Sequence, residues 1–178
     1  MGLTLLRHTA PLVAPGICYG RTDLELAPSF PEELERISVK MPVVAHVFTS
    51  PLQRCRRLAE ALCKTHGLSL KIEPRIREMD FGAWEGQAWS DISRDEIDAW
   101  ADDFLHARPH GGESVAMLRA RALAALEDIR GNNQPTLLVT HAGIIKAAFA
   151  TGDESMHFQT QIGFGEYIPL PTLQGSFK

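Results

Sequence analysis

Short apolar runs alternate along the chain with longer segments in which apolar residues recur at helical spacing. Residues 3–6, 43–48 and 136–139 have the nearly continuous apolar character that is typical of strands buried on both faces of a parallel sheet. Weaker strand patterns occupy residues 70–73 and 166–168. Because helical patterns separate most of these strands, the order predicts an α/β fold, a three-layer sandwich with helices on both faces of a mostly parallel central sheet.

Helices are predicted over residues 51–64, 90–105, 114–129 and 144–150. The third has the clearest pattern, since six apolar residues form one stripe along it: Val115, Leu118, Ala122, Ala125, Leu126 and Ile129. Ser114 suits its N-cap and Gly131 its end, whereas Arg119 and Arg121 lie off the stripe and are expected to be solvated. Residues 16–26 lack such periodicity and predict an ordered loop above the sheet edge.

Composition favours one domain over residues 1–178, since a chain of 178 residues with 44% hydrophobic content can bury a substantial core. The net charge of −4 argues against nucleic acid as a partner. No apolar run is long enough for a bilayer, and no signal segment is recognisable, so we expect a cytoplasmic protein without a membrane partner. The sequence leaves the oligomeric state open.

The three cysteines, Cys18, Cys55 and Cys63, are an odd number without metal-like spacing, which favours a reducing compartment and no metal site. Arginines are locally dense in an otherwise acidic chain, which suits a pocket for a small anion. They fall in two short stretches, Arg54, Arg56 and Arg57, and Arg75 and Arg77.

Two histidines follow directly on apolar strands. Arg7-His8 ends the first strand, and Thr140-His141 ends the strand at 136–139. The carboxyl ends of parallel strands line the crevice in which open α/β sheets bind ligands. We therefore expect both imidazoles to meet there beside Arg7, whose guanidinium matches an oxyanion. This combination predicts chemistry on a phosphate.

A further anion-binding element is Ser50-Pro51-Leu52-Gln53-Arg54, which has a capping-box pattern and a proline at the expected first helical position. Arg54 then lies in the first helical turn, where a bound anion is favoured by the guanidinium and by the helix N-terminus. The structural alternative is an ion pair between Arg54 and Glu60 or another carboxylate. Gly143, shortly after His141, permits a tight bend.

The segment at residues 77–86 mixes carboxylates with aromatic residues and glycines. Phe81 and Trp84 could desolvate a carboxyl group and make it a general acid. The residues alone do not decide among Glu78, Asp80 and Glu85. A loop held by aromatic packing, with surface acids, is an equally good interpretation.

Four segments, in chain order, resemble the motifs of the histidine phosphatase superfamily, which includes the cofactor-dependent phosphoglycerate mutases. They are Leu6-Arg7-His8-Thr9, Ser50-Pro51-Leu52-Gln53-Arg54-Cys55, Glu78 to Gly86, and Val139-Thr140-His141-Ala142-Gly143. Two further segments, Gly16 to Asp23 and Gly111-Gly112-Glu113-Ser114, are similar to the α-ribazole phosphatase branch.

The resemblance implies specific roles. His8 matches the nucleophile that becomes phosphohistidine, Glu78 matches the proton donor, and Arg7, Arg54 and His141 match the phosphate pocket. The substrate-binding set that the resemblance implies is Arg7, Thr9, Gly20, Arg21, Arg54, His141 and Ala142. Two departures concern one corner of this pocket: Thr9 replaces a frequent glycine, and residues 10–14 lack a frequent asparagine.

The implied activity is that of a metal-independent phosphomonoesterase, without a cofactor, acting on a small phosphorylated metabolite. The best-matched substrate is α-ribazole 5′-phosphate of cobalamin biosynthesis. A phosphohistidine protein phosphatase is one alternative. A phosphoglycerate mutase is another, less favoured because mutases of the superfamily carry extra segments that shield phosphohistidine from water. A non-catalytic module that binds inorganic phosphate is the least favoured.

Overall fold

The computed structural model describes residues 2–131 and 133–171, and its described part contains a five-stranded sheet in the order β3-β2-β4-β1-β5. The strands are β1 (Leu3–Arg7), β2 (His46–Thr49), β3 (Leu70–Ile72), β4 (Thr136–Thr140) and β5 (Tyr167–Leu170). β1 to β4 pair in parallel, and only the edge strand β5 is antiparallel. The predicted mostly parallel sheet is confirmed.

The described residues form five α-helices: α1 (Phe30–Val39), α2 (Gln53–His66), α3 (Arg94–Asp102), α4 (Val115–Arg130) and α5 (Ala142–Phe149). Successive residues of a strand point to opposite faces. Leu5 accordingly packs in the cluster formed with α4 and α5, whereas Leu6 packs in the cluster formed with α1 and α2. Two buried faces explain the continuous apolar runs and confirm the predicted helical layers.

α4 follows its prediction closely, because all six stripe residues are buried and the Ser114 hydroxyl accepts a hydrogen bond from the Met117 amide. The expectation that its arginines are solvated is wrong. The side chain of Arg121 is only 17% exposed and contacts Glu113, and Arg119 pairs with Asp153. A charged side chain outside the apolar stripe of a helix can be buried when another segment supplies a residue of opposite charge. Helical periodicity does not reveal such a partner.

The predicted capping box is also wrong, since α2 begins at Gln53 and no side chain of Leu52, its N-cap residue, accepts a hydrogen bond. The Gln53 amide donates instead to Asp23 Oδ1 at 2.7 Å. The cap therefore comes from the loop at residues 16–26, which the sequence places above this edge of the sheet. Arg54 nevertheless occupies the first turn of α2, as expected.

Other bounds differ from the sequence pattern. β2 begins at His46, since Val43 is 96% exposed, and α3 covers only the centre of the predicted helix at 90–105. α1 has no counterpart among the predicted helices because Ile37 is its only fully buried residue. Its Pro31 and two acidic residues in the first turn were the available signal.

No helix among the described residues is long and apolar enough to span a bilayer. The single domain over 1–178 stays a prediction, because residues 1, 132 and 172–178 lie outside the described residues.

Candidate active site

The strand register brings the two histidines together. Arg7 lies opposite Thr140 in the β1–β4 pairing, and the His8 amide donates to the Thr140 carbonyl at 3.0 Å. The imidazole centroids of His8 and His141 are 5.1 Å apart, at an interplanar angle of 61°. Both rings are buried at the carboxyl edge of the sheet. The two histidines predicted to meet at the carboxyl ends of their strands are therefore neighbours there.

His8 has a defined tautomer. Its Nδ1 lies 2.7 Å from the Thr9 carbonyl oxygen, which can only accept, so Nδ1–H donates this hydrogen bond. The lone pair is then on Nε2. Burial, followed by the nearby Arg54 guanidinium, lowers the pKa of His8 to about 3, against the opposing effect of the Thr9 hydrogen bond. His8 is consequently neutral and nucleophilic at physiological pH.

His141 is the N-cap residue of α5 and is completely buried. Its Nε2 lies 2.7 Å from the Ser50 hydroxyl and 3.4 Å from the Cys55 sulfur. Burial, and next the charge of Arg54, hold the pKa of His141 well below its usual value. Both imidazoles are therefore neutral, and an anion beside them would offset the Arg54 charge that, after burial, lowers the pKa of His141.

Arg54 is a fully buried guanidinium without a carboxylate partner among the described residues. It donates to the Thr22 carbonyl at 2.7 Å and to the Gly20 carbonyl at 2.5 Å. A Cβ atom at Gly20 would overlap the Met79 carbonyl, so only glycine permits this approach of the loop. The predicted Arg54–Glu60 alternative is not present, since Glu60 pairs with Arg56.

The Arg7 side chain is positioned by residues 162–164, a segment for which the sequence pattern predicted no structure. It donates to the Ile162 carbonyl at 2.7 Å, and its guanidinium carbon lies 3.9 Å from the Phe164 ring centroid. The Phe164 ring also contacts His8, with centroids 5.4 Å apart. Phe164 thus packs against both Arg7 and His8. An isolated aromatic residue in an aperiodic segment gave no signal of this role.

Three buried polar atoms around His8 have no partner among the described residues: Arg7 Nε, Thr9 Oγ1 and Arg54 Nε. Two are cationic donors, and an unpaired buried donor normally carries a substantial desolvation penalty. An oxyanion held beside His8 would offer acceptors to such donors. Thr9, the departure from the family pattern, contributes a hydroxyl here as well as the carbonyl that orients His8.

The three candidate carboxylates have different environments. Glu85 binds the 16–26 loop through the Arg21 and Thr22 amides, and Asp80 accepts from the Gly82 amide and pairs with Arg21. Of the three, only Glu78 lines the cavity that adjoins Arg7. Geometry therefore favours Glu78 as the acid, as the resemblance does.

Glu78 is held by backbone amides on both carboxylate oxygens. Met79 N–H donates to Oε1 at 3.0 Å, and Gly143 N–H donates to Oε2 at 3.1 Å. A Cβ atom at Gly143 would overlap Oε1. The absence of a side chain at Gly143 is what admits the carboxylate to the N-terminal turn of α5.

Arg121 supports the segment that carries Glu78, a role that sequence reasoning missed. It binds both carboxylate oxygens of Glu113, at 2.6 and 2.8 Å. It also donates to the carbonyls of Arg75, Arg77 and Glu78. Three of the five guanidinium hydrogen bonds thus hold the backbone that leads from the short 3-10 helix Pro74–Ile76 to Glu78, and the other two go to Glu113.

The remaining predicted substrate-binding residues lie at the margin. Ala142, the first residue of α5, lines the cavity beside Gly143. The Arg21 side chain is 60% exposed and pairs with Asp80 at 3.0 Å. Its part in substrate binding stays a prediction.

The structure is that of an α/β protein in which two buried histidines, two arginines and a carboxylate lie together at one edge of a mostly parallel sheet. The family model of the histidine phosphatase superfamily, branch 1, matches residues 3–159, and the chain belongs to that family. The resemblance seen in the four motifs is thereby confirmed.

Relatives with named activities include mutases and phosphatases. A probable phosphoglycerate mutase of Photorhabdus laumondii is 36% identical over 110 residues, 58% of this chain and 50% of that protein. The chain thus matches only about half the length of such relatives. The adenosylcobalamin/alpha-ribazole phosphatase of Escherichia coli is 26% identical over 184 residues, 96% of this chain and 90% of that protein.

The fold recurs in a solved structure, the native mycobacterial glucosyl-3-phosphoglycerate phosphatase. It superposes with a TM-score of 0.84 at 22% identity, covering 94% of this chain and 88% of that one.

In the described residues, no group of three or more His, Cys, Asp or Glu side chains is arranged to hold a metal ion.

Proposed function

We propose that the protein is a metal-independent phosphomonoesterase that uses a phosphohistidine intermediate on a small phosphorylated metabolite. The observation that carries this proposal is the neutral His8, whose Nδ1–H is fixed on Thr9 and whose Nε2 is left to attack. α-Ribazole 5′-phosphate is the substrate we favour. Two observations support this choice. The segments at residues 16–23 and 111–114 resemble those of the α-ribazole phosphatase branch, and the match to the Escherichia coli enzyme covers nearly the full length of both chains.

In the first step, the His8 Nε2 lone pair forms a bond to phosphorus while the bond to the ester oxygen breaks. Arg7, Arg54 and His141 stabilise the charge on the three equatorial oxygens, with guanidinium donors that in this structure bind backbone carbonyls turning to the phosphate. Glu78 gives its proton to the departing oxygen, so that an alcohol leaves rather than an alkoxide.

In the second step, the Glu78 carboxylate takes a proton from water, whose oxygen attacks phosphorus as the bond to His8 Nε2 breaks. Inorganic phosphate is released, and His8 returns to its neutral tautomer. The guanidinium groups supply the positive charge that a divalent ion supplies in other phosphoryl-transfer sites.

The test is His8→Ala, with His106→Ala as the matched control because His106 is exposed on the surface. We expect His8→Ala to remove turnover of an alkyl phosphate and of α-ribazole 5′-phosphate, and to remove the protein-bound phosphate recovered after a rapid alkaline quench. Near-wild-type turnover in His8→Ala, or bound phosphate located on His141, would refute the mechanism.

A further inference from the structure

Beyond the phosphate pocket, the same side of the molecule contains a cavity of about 480 Å³. Such a volume lies in the range of small-molecule sites, roughly 300–1,000 Å³. Arg7, Glu78 and Gly143 form one end of it, and the other end is made by residues from the segments around α3, α4 and the turn at Ser155–Phe158. The residues at this second end of the cavity have no role in the phosphoryl transfer described above.

If the proposed function holds, this cavity receives the leaving group. His8 attacks opposite the departing oxygen, and Glu78 must lie within hydrogen-bond reach of that oxygen to protonate it. Since Glu78 is part of the cavity wall, the carbon skeleton attached to the departing oxygen continues into the cavity. The lining of the far end therefore selects the substrate.

Aromatic rings dominate this far end. The rings of Trp100 and Phe104 have centroids 5.8 Å apart, those of Phe104 and Phe158 5.3 Å apart, and those of Phe81 and Trp89 5.7 Å apart. These are the separations at which aromatic rings attract one another edge to face or offset. A planar ring in the cavity extends such an array.

The same lining offers few polar partners. Ser155 and Lys146 are polar side chains at a distance from the phosphate end, and Lys146 forms no ion pair with the described residues. The Trp100 indole N–H is a further donor there, buried without a partner among the described residues. A polyhydroxylated leaving group would lose more hydrogen bonds to water than these few groups can replace. An apolar ring loses nothing comparable on entry.

We propose that this cavity is a leaving-group subsite for a planar, largely apolar ring, aromatic or N-heteroaromatic, joined to the phosphate through a short linker. Trp100, Phe104 and Phe158 are its specificity-determining residues. Lys146 provides the competing possibility, a carboxylated leaving group such as that of a phosphoglycerate, and the experiment separates the two.

The experiment compares kcat/KM for 2-phenylethyl phosphate, ethyl phosphate, ribose 5-phosphate and 3-phosphoglycerate with the wild-type protein. All four release alkyl alcohols, so differences in leaving-group acidity are small. We expect 2-phenylethyl phosphate to exceed ethyl and ribose phosphates by about tenfold or more, the order of effect that one well-packed apolar group produces. A preference for ribose 5-phosphate or 3-phosphoglycerate would overturn the proposal.

Variants locate the preference. Phe104→Leu should lower the ratio of kcat/KM for 2-phenylethyl over ethyl phosphate by about fivefold, because it removes the ring contact and keeps an apolar side chain. Phe30→Leu is the matched control, since Phe30 is also half-buried but packs on the opposite face of the sheet. An unchanged ratio in Phe104→Leu, or an equal fall in Phe30→Leu, would overturn the assignment.

The same measurements distinguish failure of the proposed phosphatase function from failure of the aromatic subsite. If no ester is hydrolysed by a folded wild-type protein, the proposed function fails. If hydrolysis depends on His8 but 3-phosphoglycerate is preferred and Lys146→Met removes that preference, only the aromatic subsite fails.

Discussion

Gly143→Ala is expected to separate catalysis from stability. The added methyl group would overlap Glu78 Oε1 and approach Cδ at 3.1 Å, so the carboxylate must give way. The displaced atoms are the end of a flexible side chain, so the fold can absorb the change. Restoring van der Waals contact needs a shift of Oε1 by about 1 Å, and a misplacement of that size can lower a rate on the order of 100-fold.

The expected loss depends on the substrate. For an alkyl phosphate, whose alkoxide needs a proton, kcat/KM should fall on the order of 100-fold, at the lower end of what a general acid contributes. For p-nitrophenyl phosphate, whose phenolate leaves unaided, the fall should be less than about tenfold. Glu78→Gln should show the same dependence on leaving group, and adding it to Gly143→Ala should have little further effect.

Stability should not fall with activity. Gly143 lies within α5, and replacing a helical glycine by alanine favours the helix by roughly 0.5–1 kcal/mol. The melting temperature should therefore stay constant or rise. Gly131→Ala, at the end of α4 with a φ of −56°, is the control and should leave both kinetic constants unchanged. Equal losses on the two substrates, or wild-type rates on the alkyl phosphate, would refute the placement of Glu78.

Three further outcomes are expected. Arg121→Met should lower the free energy of unfolding by about 3 kcal/mol or more, because it leaves Glu113 unpaired at 14% exposure. The control Arg94→Met should change the free energy of unfolding by less than about 1 kcal/mol, since the Arg94 side chain is 85% exposed where it pairs with Asp98. Similar losses of unfolding free energy for the two variants in urea denaturation would contradict the role of Arg121. The pKa of His141, held low by burial and by Arg54, should rise when phosphate or vanadate binds, because the anion offsets the guanidinium charge; an unchanged or lowered value in an NMR titration of the imidazole would argue against its contact with phosphate. Activity should survive EDTA, since the guanidiniums supply the positive charge; loss in EDTA that a divalent ion restores would show a missing metal.

The fold was largely predictable because its signals are local. The strands β1 and β4 are buried on both faces, so their sequences are continuously apolar, and α4 shows its buried stripe at helical spacing. The chirality and layering of α/β folds then place the ends of parallel strands at one edge. For that reason the amino-acid sequence alone assigns Arg7, His8 and His141 to one crevice.

The chemistry at the edge was less predictable. The sequence by itself did not choose among Glu78, Asp80 and Glu85, because all three occur in one aperiodic segment. The choice comes from what each carboxylate contacts: Asp80 and Glu85 bind loop amides, whereas Glu78 reaches the first turn of α5. Such contacts join residues that are distant in the chain.

The sequence by itself determined the α/β class and the strand ends that carry the histidines, since both follow from short-range periodicity. It also contained the family motifs, which are short runs of residues recognised by resemblance. Only the tertiary structure decided that Asp23 caps α2, that Arg121 is buried, and that Phe164 packs on Arg7 and His8. These three depend on partners that lie 30, 8 and more than 150 positions away. A buried charge or an isolated aromatic ring acquires its role from such partners, and no local pattern in the chain encodes which residue that partner will be.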